Sequence, residues 1–449
     1  MSKKRFHILS LGCAKNTVDS EAMAVLLSRA GFVSSGRPEE ADVLIVNTCG
    51  FIDPAKEESL AELRRLAGTK QPGQLLIAAG CLTQRFGKQV FSQVQGIDGL
   101  LGTRRWMDIV KVVRTLGEDR YPKPFYHLPE THVEDTDEAG APRIAVQGAS
   151  AYLKIADGCR RSCAFCAIPL IKGTAVSRQQ ETILAEARLL QEQGVREVNL
   201  IAQDTSDYGH DLGLKDGLAI LLENMVQAVP RIDWIRILYL YPGNVTDRLI
   251  EVMSRSPQIV PYLDLPLQHG HPSVLRRMRR PTNIKWVHRL IEKVRTAMPD
   301  LALRTTFIVG YPGETEEEFQ ALLDFTAELR FDRVGVFTFS FEPGTPSESL
   351  GDPIPHEVKK ERCGRLMALQ QEISLEKNKS FIGQTMQVLL EGHGEGISLG
   401  RSYRDAPEID GMVMVNEEIP VGEMVKVRIT EALPYDLVGM VESSESRKR

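Results

Sequence analysis

Cys159, Cys163 and Cys166 stand in the run GCRRSCAFC with a C-x3-C-x2-C spacing. A loop with that spacing can wrap one corner of an iron–sulfur cube, giving three thiolates to three irons and leaving the fourth iron open. Stable electron-transfer clusters take four thiolates, and a structural zinc site closes with four ligands. No fourth Cys or His lies close enough in sequence to complete a local quartet. An open iron is a place for chemistry. The plainer alternative is a redox or zinc-binding cysteine cluster.

Three more cysteines, Cys13, Cys49 and Cys81, are spaced 36 and 32 residues apart. Each follows an apolar run (FHILSLGC, DVLIVNTC, LLIAAGC) and precedes a segment of helical patterning. Short β-rich runs alternating with amphipathic helices predict βαβ units and a parallel sheet. Right-handed crossovers bring neighbouring strand ends to one edge, and ligand sites in such sheets lie at the strands' carboxyl ends. Three thiolates distant in sequence are therefore expected to converge on a second cluster with an open iron. The plain alternative is three buried cysteines, since free Cys behaves as a small hydrophobe. Cys363, the seventh, sits in a helical stretch and reads as packing.

The elements that position the Cys159 loop come next. A strand over 151–156 precedes it, and the pattern then alternates. Helices are expected at 181–193, 217–228, 246–254, 284–298 and 315–329, with strands at 198–202, 234–240, 262–267, 303–309 and 334–340. That makes six βα-type repeats, short of the eight in a TIM barrel. Polar residues fall at the matching strand ends: Gln203 and Asp204, then Asp264, Gln268 and His269, then Arg304 and Gly310. Gly310 and Gly313 allow close backbone approach to a ligand, and Thr315 suits a helix cap. The run LRRMRR (275–280) is the one basic cluster and reads as a solvated helix face.

With 449 residues, 42% hydrophobic and 26% charged, the chain has room for about three ordinary globular domains. No apolar run approaches the ~20 residues of a membrane helix, and the basic N-terminus lacks the apolar region of a signal peptide. A cytoplasmic protein is expected, in which cysteines serve metals rather than disulfides. The net charge of −5 gives no general pull toward nucleic acid.

The Cys159 loop resembles that of the radical S-adenosylmethionine (SAM) enzymes, in which the open iron chelates SAM and one electron cleaves it to a 5′-deoxyadenosyl radical. The resemblance implies an open (β/α)6 barrel, places Phe165 near the adenine, and makes RTTFIVGYPGETEEEF, with Arg304 and Gly310, a SAM-contact segment. Gln203 joins these as a candidate cofactor contact. The Gly-Gly-Glu motif common in those enzymes is absent after the second strand.

With Cys13, Cys49 and Cys81 added, the chain resembles the radical-SAM methylthiotransferase family over nearly its whole length. LGCAKNTVDSE, NTCGFIDPAKEES and GCLTQR look like the branch that modifies a ribosomal protein. The family implies two [4Fe-4S] clusters, held by Cys13, Cys49 and Cys81 and by Cys159, Cys163 and Cys166. It implies one SAM as methyl donor, another as radical source, and an aspartate β-carbon of small-subunit ribosomal protein twelve as acceptor. An electron donor such as flavodoxin or ferredoxin and a source of sulfide or polysulfide come with it, without a membrane. The alternatives are the same chemistry on tRNA adenosine, or an iron–sulfur electron carrier without enzymatic activity.

The expected organisation is an N-terminal parallel α/β sandwich domain (1–125), a linker (126–150), the radical-SAM partial barrel (151–373) and a small C-terminal antiparallel β-barrel (374–445) of the TRAM type. The linker segment is rich in Pro, Gly and acid. The C-terminal runs TMQVLLEG, MVMVNE, MVKVRIT and LVGMVES suggest five short strands. Between 381 and 442 stand four basic and eleven acidic residues. Phosphate contacts need Lys and Arg. An acidic barrel suits a basic protein instead, so tRNA is disfavoured.

Overall fold

A computed structural model describes residues 3–118, 124–129 and 140–442. In the N-terminal region, six strands lie in the order Val33–Ser34, Arg5–Ser10, Val43–Thr48, Leu75–Gly80, Gly99–Gly102, Phe125–His127. Every pairing is parallel. VLIVNT and LLIAAG are buried throughout, as expected of parallel strands covered on both faces. Alternate residues divide between two cores: Val43, Ile45 and Ile77 face one way, Leu44, Val46 and Leu76 the other. Helices Ala14–Arg29, Asp53–Thr69 and Cys81–Gln93 connect the strands.

The central region has six parallel strands in chain order, Ser150–Lys154, Glu197–Ile201, Trp234–Ile237, Tyr262–Asp264, Ala302–Val309 and Arg333–Thr338. They form two sheets joined across a seam by the bridge Ile235↔Ile259 and by the Leu240 N–H bond to the Asp264 carbonyl. Helices Gln180–Glu192, Gly217–Ala228, Asp247–Arg255, Ile284–Ala297 and Glu316–Leu329 follow successive strands. This is the expected six-stranded α/β architecture. Thr315 does cap its helix, in a capping box with Glu318. Helix His356–Lys379 then lies against the last strand, with the half-buried Cys363 packed on the barrel core.

The C-terminal region is a closed five-stranded barrel. Four of its pairings are antiparallel, but Val413–Val415 and Leu437–Val441 run parallel. The fifth strand, Ile397–Ser402, has no apolar run to announce it; Ser398, Arg401 and Ser402 are buried there.

One expected boundary needs correction. Ordered strands enter the segment read as a linker from both ends. Phe125–His127 extends the N-terminal sheet, and Ile144–Gln147 pairs antiparallel with Ser150–Lys154. Short backbone ladders need no long apolar run, so composition hid them. The middle of that segment, 130–139, lies outside the described residues.

The three regions meet at the barrel interior. Ala14 and Val18 of the first helix, Tyr152, Ile201, Trp234 and Tyr262 of the barrel, and Leu389 and Ala406 of the C-terminal region share one buried cluster. No described helix is long and apolar enough to cross a membrane.

Candidate functional site

Cys13, Cys49 and Cys81 each follow one of three adjacent parallel strands, whose ends are in register at Ser10↔Asn47 and Thr48↔Gly80. Asparagines knit these ends together. The Asn16 amide donates to the carbonyls of Leu11 (2.9 Å) and Thr48 (3.0 Å), and its oxygen accepts from the Cys81 thiol at 3.6 Å. Asn47 donates to the Asn16 carbonyl and to Ser20 Oγ, both at 2.9 Å. Ser59 Oγ accepts from the Cys49 N–H and donates to its carbonyl. Gly12, at φ +92°, passes so close to Cys49 that an added Cβ would stand 2.7 Å from the Cys49 Cβ.

Cys13 is exposed, whereas Cys49 and Cys81 are buried. Burial pushes the Cys49 thiol up, and the Cys81 thiol up to about 12, with Cys13 adding to both. Such thiols bind metal only by giving up their protons to it.

The second triad occupies the loop after strand Ala156–Asp157. Backbone bonds shape it: Cys159 N–H to the Gly173 carbonyl (3.0 Å), Cys166 N–H to that of Cys163 (3.2 Å), and Ala164 N–H to that of Met278 (2.9 Å). Two donors point at sulfur, the Arg161 N–H at Cys159 (3.4 Å) and Arg280 Nη1 at Cys163 (3.7 Å). Burial lifts Cys159 to about 11 and Cys166 to about 12.

Among the described residues, no three His, Cys, Asp or Glu side chains are grouped to hold one metal ion. A cubane makes a looser demand, because each thiolate binds a different corner. Three soft thiols in each triad, with N–H donors aimed at sulfur in the second, fit iron–sulfur ligation.

The triads approach each other. Helix Ile168–Ile171 begins two residues after Cys166, and Ala167 and Ile171 form a buried apolar cluster with Cys81. Arg104 from the N-terminal region donates to the carbonyls of Leu170 and Ile171 at 2.8 and 2.9 Å. Arg85 is clamped on Glu342 at 2.5 Å, both side chains buried. Beneath these contacts, Asp19 and Asp157 share Arg143, Lys154 and Lys172 in six ion pairs of 2.5–3.3 Å, all five residues buried. Burial alone would push both carboxyls up, but Lys154, Lys172 and Arg143 together hold them below the usual carboxylate range.

The remaining expected residues are placed unevenly. Phe165 packs among Val274, Met278, Tyr311 and Phe339. Gln203, just past strand Glu197–Ile201, has a buried amide oxygen with no protein donor. Asp204 pairs with Arg161 at 2.9 Å. His269 is buried and accepts the His271 N–H at 2.9 Å, a structural role. Arg304's guanidinium pairs with Asp264 (2.9 Å) and Asp410 (3.4 Å) in the barrel interior.

Gly310 has φ +70°, and a Cβ there would lie 2.4 Å from Lys359 Cγ, so packing alone demands glycine. Gly310→Ala is expected to lose about 1–2 kcal/mol from the left-handed backbone, plus the clash. A lowered thermal midpoint checks this.

Sequence patterning missed several residues. LRRMRR is not a uniformly solvated face. Arg280 turns inward, stacks on Tyr241 at 4.4 Å and donates to the Pro266 carbonyl. Arg277 pairs with Glu318 at 2.6 Å. Lys15, Asp19 and Lys172 are charges inside helical or loop segments, and only their burial marks them.

Family comparisons agree with this layout. Residues 5–102 match a family described as uncharacterized protein family UPF0004, 153–326 match the radical SAM superfamily, and 382–441 match the TRAM domain. A curated protein of Chloroflexus aurantiacus, ribosomal protein uS12 methylthiotransferase RimO, is 49% identical, covering 97% of this chain and 99% of its own. Its namesake from Roseiflexus sp. is 47% identical over 98% of each.

The chain belongs to the RimO family.

Members as distant as that of Bdellovibrio bacteriovorus still share 41% identity over 98% of this chain, so the RimO assignment covers all three regions. Solved structures share the fold at low identity. The radical SAM methyltransferase TsrM of Kitasatospora setae aligns with TM-score 0.57 at 13% identity, over 88% of this chain and 79% of its own. The cobalamin-dependent radical enzyme OxsB aligns at 0.51 and 11%, over 82% and 56%.

Proposed function

We propose that this chain attaches a methylthio group to the β-carbon of an aspartate in ribosomal protein uS12. The observation that carries the reading is the contact of Cys81 with Ala167 and Ile171, which sets one cysteine triad directly behind the other. Bound at the two triads, a pair of [4Fe-4S] clusters together with SAM would supply the radical that opens an unactivated C–H bond, the sulfur and the methyl group.

The chain's own residues do the positioning. Cys159, Cys163 and Cys166 hold one cluster, with hydrogen bonds from Arg161 N–H and Arg280 tuning its sulfurs. Cys13, Cys49 and Cys81 hold the other, on strand ends fixed by Asn16 and Asn47. Phe165 and Gly310 flank SAM, and the unpartnered oxygen of Gln203 offers it a hydrogen-bond acceptor. Arg304 serves through Asp264, whose second oxygen accepts the Tyr239 N–H at 2.9 Å. The Asp19–Asp157 network ties the first helix of the N-terminal sheet to the barrel.

The C-terminal domain (374–445) favours a protein substrate over tRNA. Arg401 and Arg404 are buried in ion pairs with Glu197, Glu391 and Asp332. Lys426 and Arg428 are then the exposed bases of 381–442, against eight exposed acids. Such a surface repels phosphate and attracts a basic protein. The reaction further calls for a low-potential electron donor such as flavodoxin or ferredoxin and for sulfide or polysulfide, in the cytoplasm.

Reconstituted protein incubated anaerobically with SAM, reductant, sulfide and either uS12 or tRNA tests the reading. The expected product is uS12 heavier by one methylthio group in place of a hydrogen. Modification of tRNA alone would reject it.

A further inference from the structure

Lys15 is the second residue of helix Ala14–Arg29 and lies two residues beyond Cys13, the exposed cysteine of its triad. It is nine-tenths buried, at 9% exposure. Its ammonium sits 3.1 Å from the centroid of the Tyr239 ring. Among the described residues it has no hydrogen-bond acceptor and no carboxylate within ion-pair distance.

The neighbouring buried cations are not in that position. Arg143, Lys154 and Lys172 share Asp19 and Asp157, and Arg304 has Asp264 and Asp410. Asp264 accepts from Arg304 on one oxygen and from the Tyr239 N–H on the other, and its charge reaches Lys15 only at a distance. Buried charges are ordinarily paired, and an aromatic face offsets only part of an ammonium's lost hydration. With no carboxylate in contact, the ammonium is open to an anion from outside the chain.

The location says which anion. Tyr239 follows strand Trp234–Ile237 with a left-handed backbone, φ +64°. Cys13 and Glu408 lie within electrostatic reach of its ring, and Cys13 within reach of Lys15. The ammonium thus stands between the first cysteine triad and the exposed tip of the 403–410 loop of the acidic C-terminal barrel.

We propose that Lys15 receives the carboxylate of the acceptor side chain and so selects an aspartate over its uncharged relatives. The proposal rests on the methylthiotransferase reading above. An asparagine, or a nucleobase, in the same place would offer the ammonium no counter-ion. A hydrogen bond between charged groups at that position is worth roughly ten- to a hundredfold in affinity.

The test uses the full chain, reconstituted to equal iron content, as wild type, Lys15→Met and Lys15→Arg. The probes are uS12 and uS12 with its acceptor aspartate replaced by asparagine. Binding of each probe is titrated without SAM, and modification is followed separately. The expected result is a wild type that prefers the aspartate protein roughly ten- to a hundredfold. Lys15→Met should bind both proteins alike, and Lys15→Arg should regain part of the preference.

Equal binding of the two probes by the wild type would overturn the proposal, and so would an unchanged preference in Lys15→Met. If Lys15→Met fails to fold, the wild-type ratio and Lys15→Arg still decide. A wild type that binds and discriminates but never modifies uS12 would instead reject the methylthiotransferase reading, leaving the binding role of Lys15 standing.

Discussion

Replacing Cys13, Cys49 and Cys81 together with alanine is expected to abolish methylthiolation while reductive cleavage of SAM to 5′-deoxyadenosine continues. Cys159→Ala is expected to remove both, taking the reaction to its uncatalysed level. The asymmetry follows from where the triads sit. The Cys159 loop is shaped by its own N–H bonds to the carbonyls of Gly173 and Met278, within the barrel region, and all three of its thiols come from that region. The N-terminal thiols belong to a different sheet, and Cys81 packs against Ala167 and Ile171 beside the Cys159 loop. Chromatography of deoxyadenosine and mass measurement of uS12, on the same samples, check both outcomes. Loss of deoxyadenosine in the triple variant would show that the triads do not act separately.

Asp19→Ala should cause the largest loss of stability. The substitution leaves Asp157 as the carboxylate shared by the buried Arg143, Lys154 and Lys172. Removing one partner of a buried ion pair costs about 3–5 kcal/mol, because the remaining charges keep their desolvation penalty. Denaturant unfolding should show that loss, and limited proteolysis should show the N-terminal region released from the barrel. The pH dependence has a definite sign. Asp19 and Asp157 titrate below the unfolded carboxylate range, so their stabilisation is complete above about pH 4 and is withdrawn as pH falls further. Glu197, held down to about 2 against its own burial by Arg236 and Arg401, steepens the same acid limb. Asp19→Ala should flatten it.

Much of this layout is legible in the sequence, for identifiable reasons. Cys13, Cys49 and Cys81 each close an apolar run, and parallel pairing turns equal positions along a strand into neighbours in space. The barrel repeats are legible because their apolar residues recur at the element's own period. Periodicity shows which residues are buried but is silent on their partners. Lys154 stands inside the apolar run AYLKIAD, and nothing local says that its counter-ion is Asp19, 135 residues earlier. The motif marks Arg304 as a candidate cofactor contact but is silent on its ion pairs with Asp264 and Asp410. The strand Ile397–Ser402 escaped because hydrogen bonds hold its buried Ser398, Arg401 and Ser402 in place of apolar packing.

The central claim is that one chain carries two thiolate-held cubanes side by side. An anaerobic count of iron and acid-labile sulfide on the reconstituted protein, before and after replacement of the N-terminal cysteines, addresses it most directly. Two four-iron clusters predict about eight of each per chain, falling to about four in the Cys13, Cys49 and Cys81 variant. About four in the unmodified protein, unchanged by the replacement, would contradict it.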